Sequence, residues 1–162
     1  MVMSREYLEK LFTYEDGFLI WKPRDSARWN SANAGNRAGY MEKSGYTRGT
    51  LAGKRHLVHR IIWTLVNGSP PEGNLDHIDG DRSNNKIENL RACSAKQNQG
   101  NRRHSKNNTS GYRGVSFNYG KFVARLRKGK TLLHLGCFDT AEDAAAAYRQ
   151  AAIEYFGEFY NE

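Results

Sequence analysis

The run Asn98 to Thr109 (NQGNRRHSKNNT) is polar, basic and free of hydrophobic periodicity, in a chain otherwise well supplied with aromatic and aliphatic residues. A stretch with nothing to bury reads as a connection rather than a packed element, and we place a linker at residues 101–108. Each side must then bury its own core. With 162 residues to share, both cores are small, and small cores confer modest stability. The fold class expected is α+β. Residues 1–100 form one unit, with an N-terminal extension over 1–57 and a core over 58–100, and residues 109–162 form the other.

In the first unit, residues 4–12 read as a helix with Ser4 as N-cap and Leu8, Leu11 and Phe12 on one face. Residues 17–21 (GFLIW) read as a strand. Residues 23–45, rich in Gly, Asn, Ser and Ala, show no pattern that predicts an element. Residues 46–52 and 55–58 read as a hairpin turning at Gly53-Lys54. Arg60 to Val66 is an apolar helix stopped by Asn67-Gly68, and the run Pro70 to Gly73 breaks the chain.

Beyond the linker the period changes. Residues 111–117, 121–127 and 131–136 read as three short strands, with turns at 118–120 and 128–130. Phe122, Ala124 and Leu126 alternate with Lys121, Val123, Arg125 and Arg127, a period of two that makes one buried and one basic face. A helix follows, capped by Thr140 and ended by Gly157, with an alanine run thin enough to lie against a sheet. The second unit is therefore a three-stranded antiparallel sheet packed on one helix.

Residues 101–130 hold nine Lys or Arg and no Asp or Glu, and the whole chain carries a formal +8 charge with a pI near 9.6. That balance points to a polyanionic partner. Two cysteines, Cys93 and Cys137, support neither a disulfide framework nor a four-cysteine zinc site. No signal peptide or membrane span is evident, so a cytoplasmic protein with reduced thiols is expected. No feature points to a protein partner, and monomer and homodimer are both compatible with the chain.

The segment Asp76-His77-Ile78-Asp79-Gly80-Asp81 sets a carboxylate beside an imidazole, with asparagines 13 and 22 residues after Asp76. Such a set can hold one hard divalent cation through oxygens and supply one general base. The plain alternative is a pair of Asx turns. A helix-loop-helix calcium loop starting at Asp79 is excluded, because Asn84 stands where glycine is required and Leu90 where the closing glutamate is.

Residues 75–81 (LDHIDGD), with Asn84-Asn85, Asn89-Leu90-Arg91 and Gln97-Asn98, resemble the HNH (ββα-metal) endonucleases of phage and mobile-intron type. The likeness extends upstream through Val58-His59-Arg60. It implies a ββα-metal nuclease core in which His77 is the general base, Asp76 and Asn98 are metal ligands, and Asn89 pins the loop that aims His77. Arg91 either touches the scissile phosphate or is structural. His59, alone before an apolar helix, reads as structural, and contact with the site stays open.

Ser110 to Val115 (SGYRGV), Lys121 to Ala124, Leu135 to Phe138 and Ala144 to Tyr148 resemble the ethylene-response-factor (Apetala-type) DNA-binding domain. The resemblance implies that Arg113, Gly114, Ser116, Tyr119, Arg125, Arg127 and His134 face duplex DNA, and Arg102 and Arg103 join the basic footprint. Ser116, Tyr119 and His134 depart from the residues plant factors often use, so plant sequence preference does not transfer. Together the two resemblances imply a homing-type DNA endonuclease using one Mg²⁺, with Mn²⁺ as a substitute. The alternative is a non-catalytic DNA-binding regulator on a decayed nuclease fold.

Overall fold

The computed structural model describes residues 3–101 and 108–161, and the chain divides into two compact units, Met1–Cys93 and Ser94–Glu162. Helices and strands are mixed in both, so the α+β expectation is borne out.

The first unit opens with helix α1 (Arg5–Leu11), where the Ser4 hydroxyl accepts from the Tyr7 N–H. It is followed by a hairpin of β1 (Phe12–Glu15) and β2 (Phe18–Trp21), turning at Asp16-Gly17 with φ of 44 and 88°. Phe12 is therefore a strand residue rather than the end of a helix. It pairs with Trp21 across the hairpin, their rings 4.5 Å apart, and that contact outweighs its helical spacing. The unreadable stretch holds helix α2 (Ala27–Asn33), capped by Ser26, and the short strand β3 (Tyr40–Met41).

Strands β4 (Thr47–Leu51) and β5 (Lys54–Leu57) complete a sheet in the order β3-β4-β5. Their turn is at Ala52-Gly53, one residue earlier than expected. Both turn residues have positive φ, 47 and 75°, the requirement of a type I′ two-residue loop. Helix α3 (Val58–Asn67) ends at Gly68 in the left-handed region, as the sequence indicates. Strands β6 (Asn74–His77) and β7 (Leu90–Cys93) pair antiparallel. The core gathers Leu8, Phe12, Leu19, Val58, Ile61, Ile62, Leu75 and Leu90. Ile62 is wholly buried, and burial of such a side chain stabilises by about 1.5–3 kcal/mol.

The second unit begins with helix α4 (Ala95–Gly100), closed by a reciprocal capping box between Ser94 and Gln97. This moves the division ahead of the expected linker: Asn98, Gln99 and Gly100 are helical. Gly100 lies against Phe156 and the Phe159 carbonyl so tightly that a Cβ would approach within 2.9 and 2.7 Å of them. Residues 102–107 of the linker, with Arg102 and Arg103, lie outside the described residues.

Strands β8 (Val115–Asn118), β9 (Lys121–Lys128) and β10 (Thr131–Phe138) form an antiparallel sheet in the order β10-β9-β8. Helix α5 (Ala141–Phe156) packs on it, with Thr140 accepting from the Asp143 N–H. Ala144 and Ala152 on α5 meet Ala124 on β9, all wholly buried, so the helix sits close to the sheet. Among the described residues no helix is long and apolar enough to cross a membrane.

Candidate active site

Asp76 and His77 are the last two residues of β6 and are both buried, at 8 and 4 % exposure. Neighbours within a strand point to opposite faces, so sharing a site requires a break in the backbone. A turn follows directly after His77, where the Gly80 N–H donates to the His77 carbonyl at 3.0 Å, with Gly80 at φ 71°.

Asn89, at the end of a 3₁₀ turn (Ile87–Asn89), ties this loop together. Its Oδ1 accepts from the Asp79 N–H at 3.1 Å, and its Nδ2 donates to the Asn84 carbonyl at 2.8 Å and Asp79 Oδ1 at 3.0 Å. Its own carbonyl accepts from the Ile78 N–H. Desolvation pushes the Asp79 carboxyl up, but hydrogen bonds from Asn84, the Asp81 N–H and Asn89, with the charge of His77, outweigh it and hold its pKa below the usual carboxylate value.

Asp76 faces Arg91 across the β6–β7 ladder. The Arg91 Nε and Nη2 lie 3.3 and 3.2 Å from Asp76 Oδ2. Burial pushes the nearby Cys93 thiol up, and the Asp76 charge adds to the effect.

Two rings converge on His77. His59, the second residue of α3, sets its ring edge-on at 4.9 Å from that of His77, and Tyr46 lies 5.6 Å from His59 and 6.1 Å from His77. His59 is buried, and among the described residues its Nδ1 has no hydrogen-bond partner. Burial first, then the positive charge of His77 and Arg60, push its pKa down to about 3. His59 is thus a neutral neighbour of the site, a contact signalled in sequence only by the Val58-His59-Arg60 motif. Asn85, for which its place in the sequence suggests no role, has its Oδ1 3.0 Å from His77 Nε2.

Of the expected ligands, Asp76 is in the first unit and Asn98 is on α4 in the second. In the second unit, Arg125 pairs with His134 and Arg127 with Leu132, so these side chains share the sheet face opposite α5, together with Ser116. Tyr119 occupies the β8–β9 hairpin tip, 98 % exposed and at φ 48°.

Arg113 and Gly114, expected to face DNA, are both engaged inside the unit. The Arg113 guanidinium donates to the carbonyls of Gly100, Gln99 and Asn161 and lies beside the rings of Tyr148 and Tyr160. Gly114, at φ 71°, lies under Tyr148, where a Cβ would overlap the ring. These contacts are made by residues far along the chain, and no local pattern announces them.

Residues 56–99 match the model of the HNH endonuclease family. The chain is similar to an uncharacterised HNH endonuclease of Acanthamoeba polyphaga mimivirus, 37 % identical over 74 % of this chain and 63 % of that protein. It is also similar to Protein 3.8 of Escherichia phage T7, 40 % identical over 48 % of this chain and 61 % of that one. A third likeness is to an ethylene-responsive transcription factor of Arabidopsis thaliana, 48 % identical over 30 % of this chain and 12 % of the factor. The chain thus spans about three fifths of the length of the two viral relatives.

Proposed function

We propose that this protein is a metal-dependent endonuclease that hydrolyses phosphodiester bonds in duplex DNA, in a homing-type setting, with the second unit positioning the cut. The observation that carries this is the buried Asp76–His77 pair at a strand end, on a loop pinned by Asn89, inside the segment that matches the HNH family.

In this reading His77 takes the proton from the attacking water, and Asn89 keeps the loop, and so the imidazole, in place. Asp76 and Asn98 are the residues that would hold the cation. The chemistry of these side chains supports such an ion: Asp76 keeps a cation, Arg91, against its carboxylate, and Asp and Asn both offer hard oxygens of the kind Mg²⁺ prefers, with Mn²⁺ as a substitute. When bound, the ion supplies charge stabilisation for the departing 3′ oxygen. One copy then nicks one strand, and two copies break both.

On the second unit, Ser116, Tyr119, Arg125, Arg127 and His134 would meet the DNA. Arginines on a sheet face can grip phosphates or read guanine through two hydrogen bonds. The test is supercoiled-plasmid cleavage with Mg²⁺, comparing wild type, His77→Ala and an EDTA control. Nicking that needs metal and disappears in His77→Ala is the expected result. Shifted bands without cutting, in Mg²⁺ and Mn²⁺ alike, would replace the nuclease with a DNA-binding regulator.

A further inference from the structure

Asn85 is 4 % exposed, and its Oδ1 stands 3.0 Å from Nε2 of His77. An amide oxygen only accepts hydrogen bonds, so the nitrogen facing it must carry the proton. A neutral imidazole has one N–H. With that proton on Nε2, the basic lone pair is on Nδ1. Water activation requires a lone pair on the nitrogen that meets the water, so the choice of tautomer decides whether His77 is a base in the right direction.

The first unit braces Asn85 from the β1–β2 hairpin. The Ile87 N–H donates to the Tyr14 hydroxyl at 3.0 Å, and the Lys86 ammonium pairs with Asp16 at 2.6 Å. Gly17 packs so near that a Cβ would come within 3.0 Å of the Lys86 nitrogen and 3.3 Å of the Asn85 carbonyl carbon. The buried ring of His59 also lies edge-on to His77. The imidazole thus contacts both an amide acceptor on a braced loop and a second ring.

We propose that Asn85 is a positioning residue for the reaction: it fixes His77 as the Nε2–H tautomer and so presents Nδ1 as the base. The catalytic part rests on the reading of His77 as general base, while the tautomer itself does not. The N-terminal hairpin acquires a role here too, since it braces the loop that carries Asn85.

The test is ¹⁵N NMR of the imidazole rings in the full-length, metal-free protein, with plasmid nicking measured alongside. Wild type is expected to show His77 protonated on Nε2. Asn85→Asp, which keeps an acceptor of the same shape, should retain that tautomer and most of the rate. Asn85→Leu should mix the tautomers and lower kcat by on the order of 10²-fold, the usual cost of a misplaced catalytic group, with KM for DNA unchanged. A wild-type His77 protonated on Nδ1 overturns the proposal without any variant having to fold. So does Asn85→Leu with an unmixed Nε2–H signal and the wild-type rate. A protein that cuts nothing yet shows an Asn85-dependent tautomer instead refutes the nuclease reading, and the catalytic role of Asn85 with it.

Discussion

Acid should destabilise the first unit through His59. Folding buries this imidazole and pushes its pKa down to about 3, while an unfolded chain protonates at about 6.5. Between those values the unfolded state binds the proton and the folded state does not. Stability is therefore intact above about 6.5 and is lost as pH falls toward 3. Each pH unit inside that window costs at most about 1.4 kcal/mol, so lowering the pH from 7 to 5 should remove about 2 kcal/mol. That is a large part of the stability of a small unit, typically about 5 kcal/mol at the low end.

The assay is urea denaturation followed by tryptophan fluorescence. Trp21, Trp29 and Trp63 all lie in the first unit, so the signal reports that unit alone. His59→Phe keeps an aromatic ring against His77 and Tyr46 but removes the titrating group and a buried Nδ1 that has no partner among the described residues. The stability difference between the two proteins should shift by about 2 kcal/mol in favour of the variant between pH 7 and 5. Parallel pH curves for the two would refute the argument, because the buried neutral imidazole would then contribute nothing to acid sensitivity.

Arg91→Met should lower the stability of the metal-free first unit by about 3 kcal/mol, since it takes the guanidinium away from buried Asp76. Mg²⁺ should then raise the variant's Tm more than it raises that of wild type; equal shifts would contradict a cation site at Asp76. Gly114→Ala should destabilise the second unit by about 3 kcal/mol through overlap with Tyr148, seen as a lower Tm by circular dichroism; an unchanged Tm would refute it. Arg127→Ala should reduce the slope of log affinity against log salt by about one, if that side chain neutralises a phosphate. Band shifts across a KCl series measure this, and an unchanged slope removes Arg127 from the phosphate contacts.

Several elements were legible in the sequence because their causes are local. The Ser4 and Thr140 caps, the Gly68 stop and the alternation along residues 121–127 act within a few residues of themselves. Asp76, His77 and Asn89 could be singled out for the same reason, since chemically unusual neighbours at fixed spacing mark one loop. Residues 23–45 showed nothing, because α2 and β3 are short and depend on partners elsewhere. Strand β3, for example, takes its hydrogen bonds from β4, with Tyr40 paired to Arg48.

By itself the sequence determined that the chain has two small α+β units, that one sheet face is basic, and which side chains bring the chemistry. Only tertiary structure decided what those side chains meet. It turned Arg113 inward onto backbone carbonyls, set Arg91 on Asp76, placed His59 against His77, and gave His77 an amide partner in Asn85. The Tyr14 hydroxyl that helps brace that amide acts on a residue 73 positions away. Periodicity and capping operate over one or two turns of chain. Hydrogen bonds, ion pairs and ring contacts form wherever packing brings groups within about 3 to 5 Å, and no local pattern encodes which distant residue arrives there.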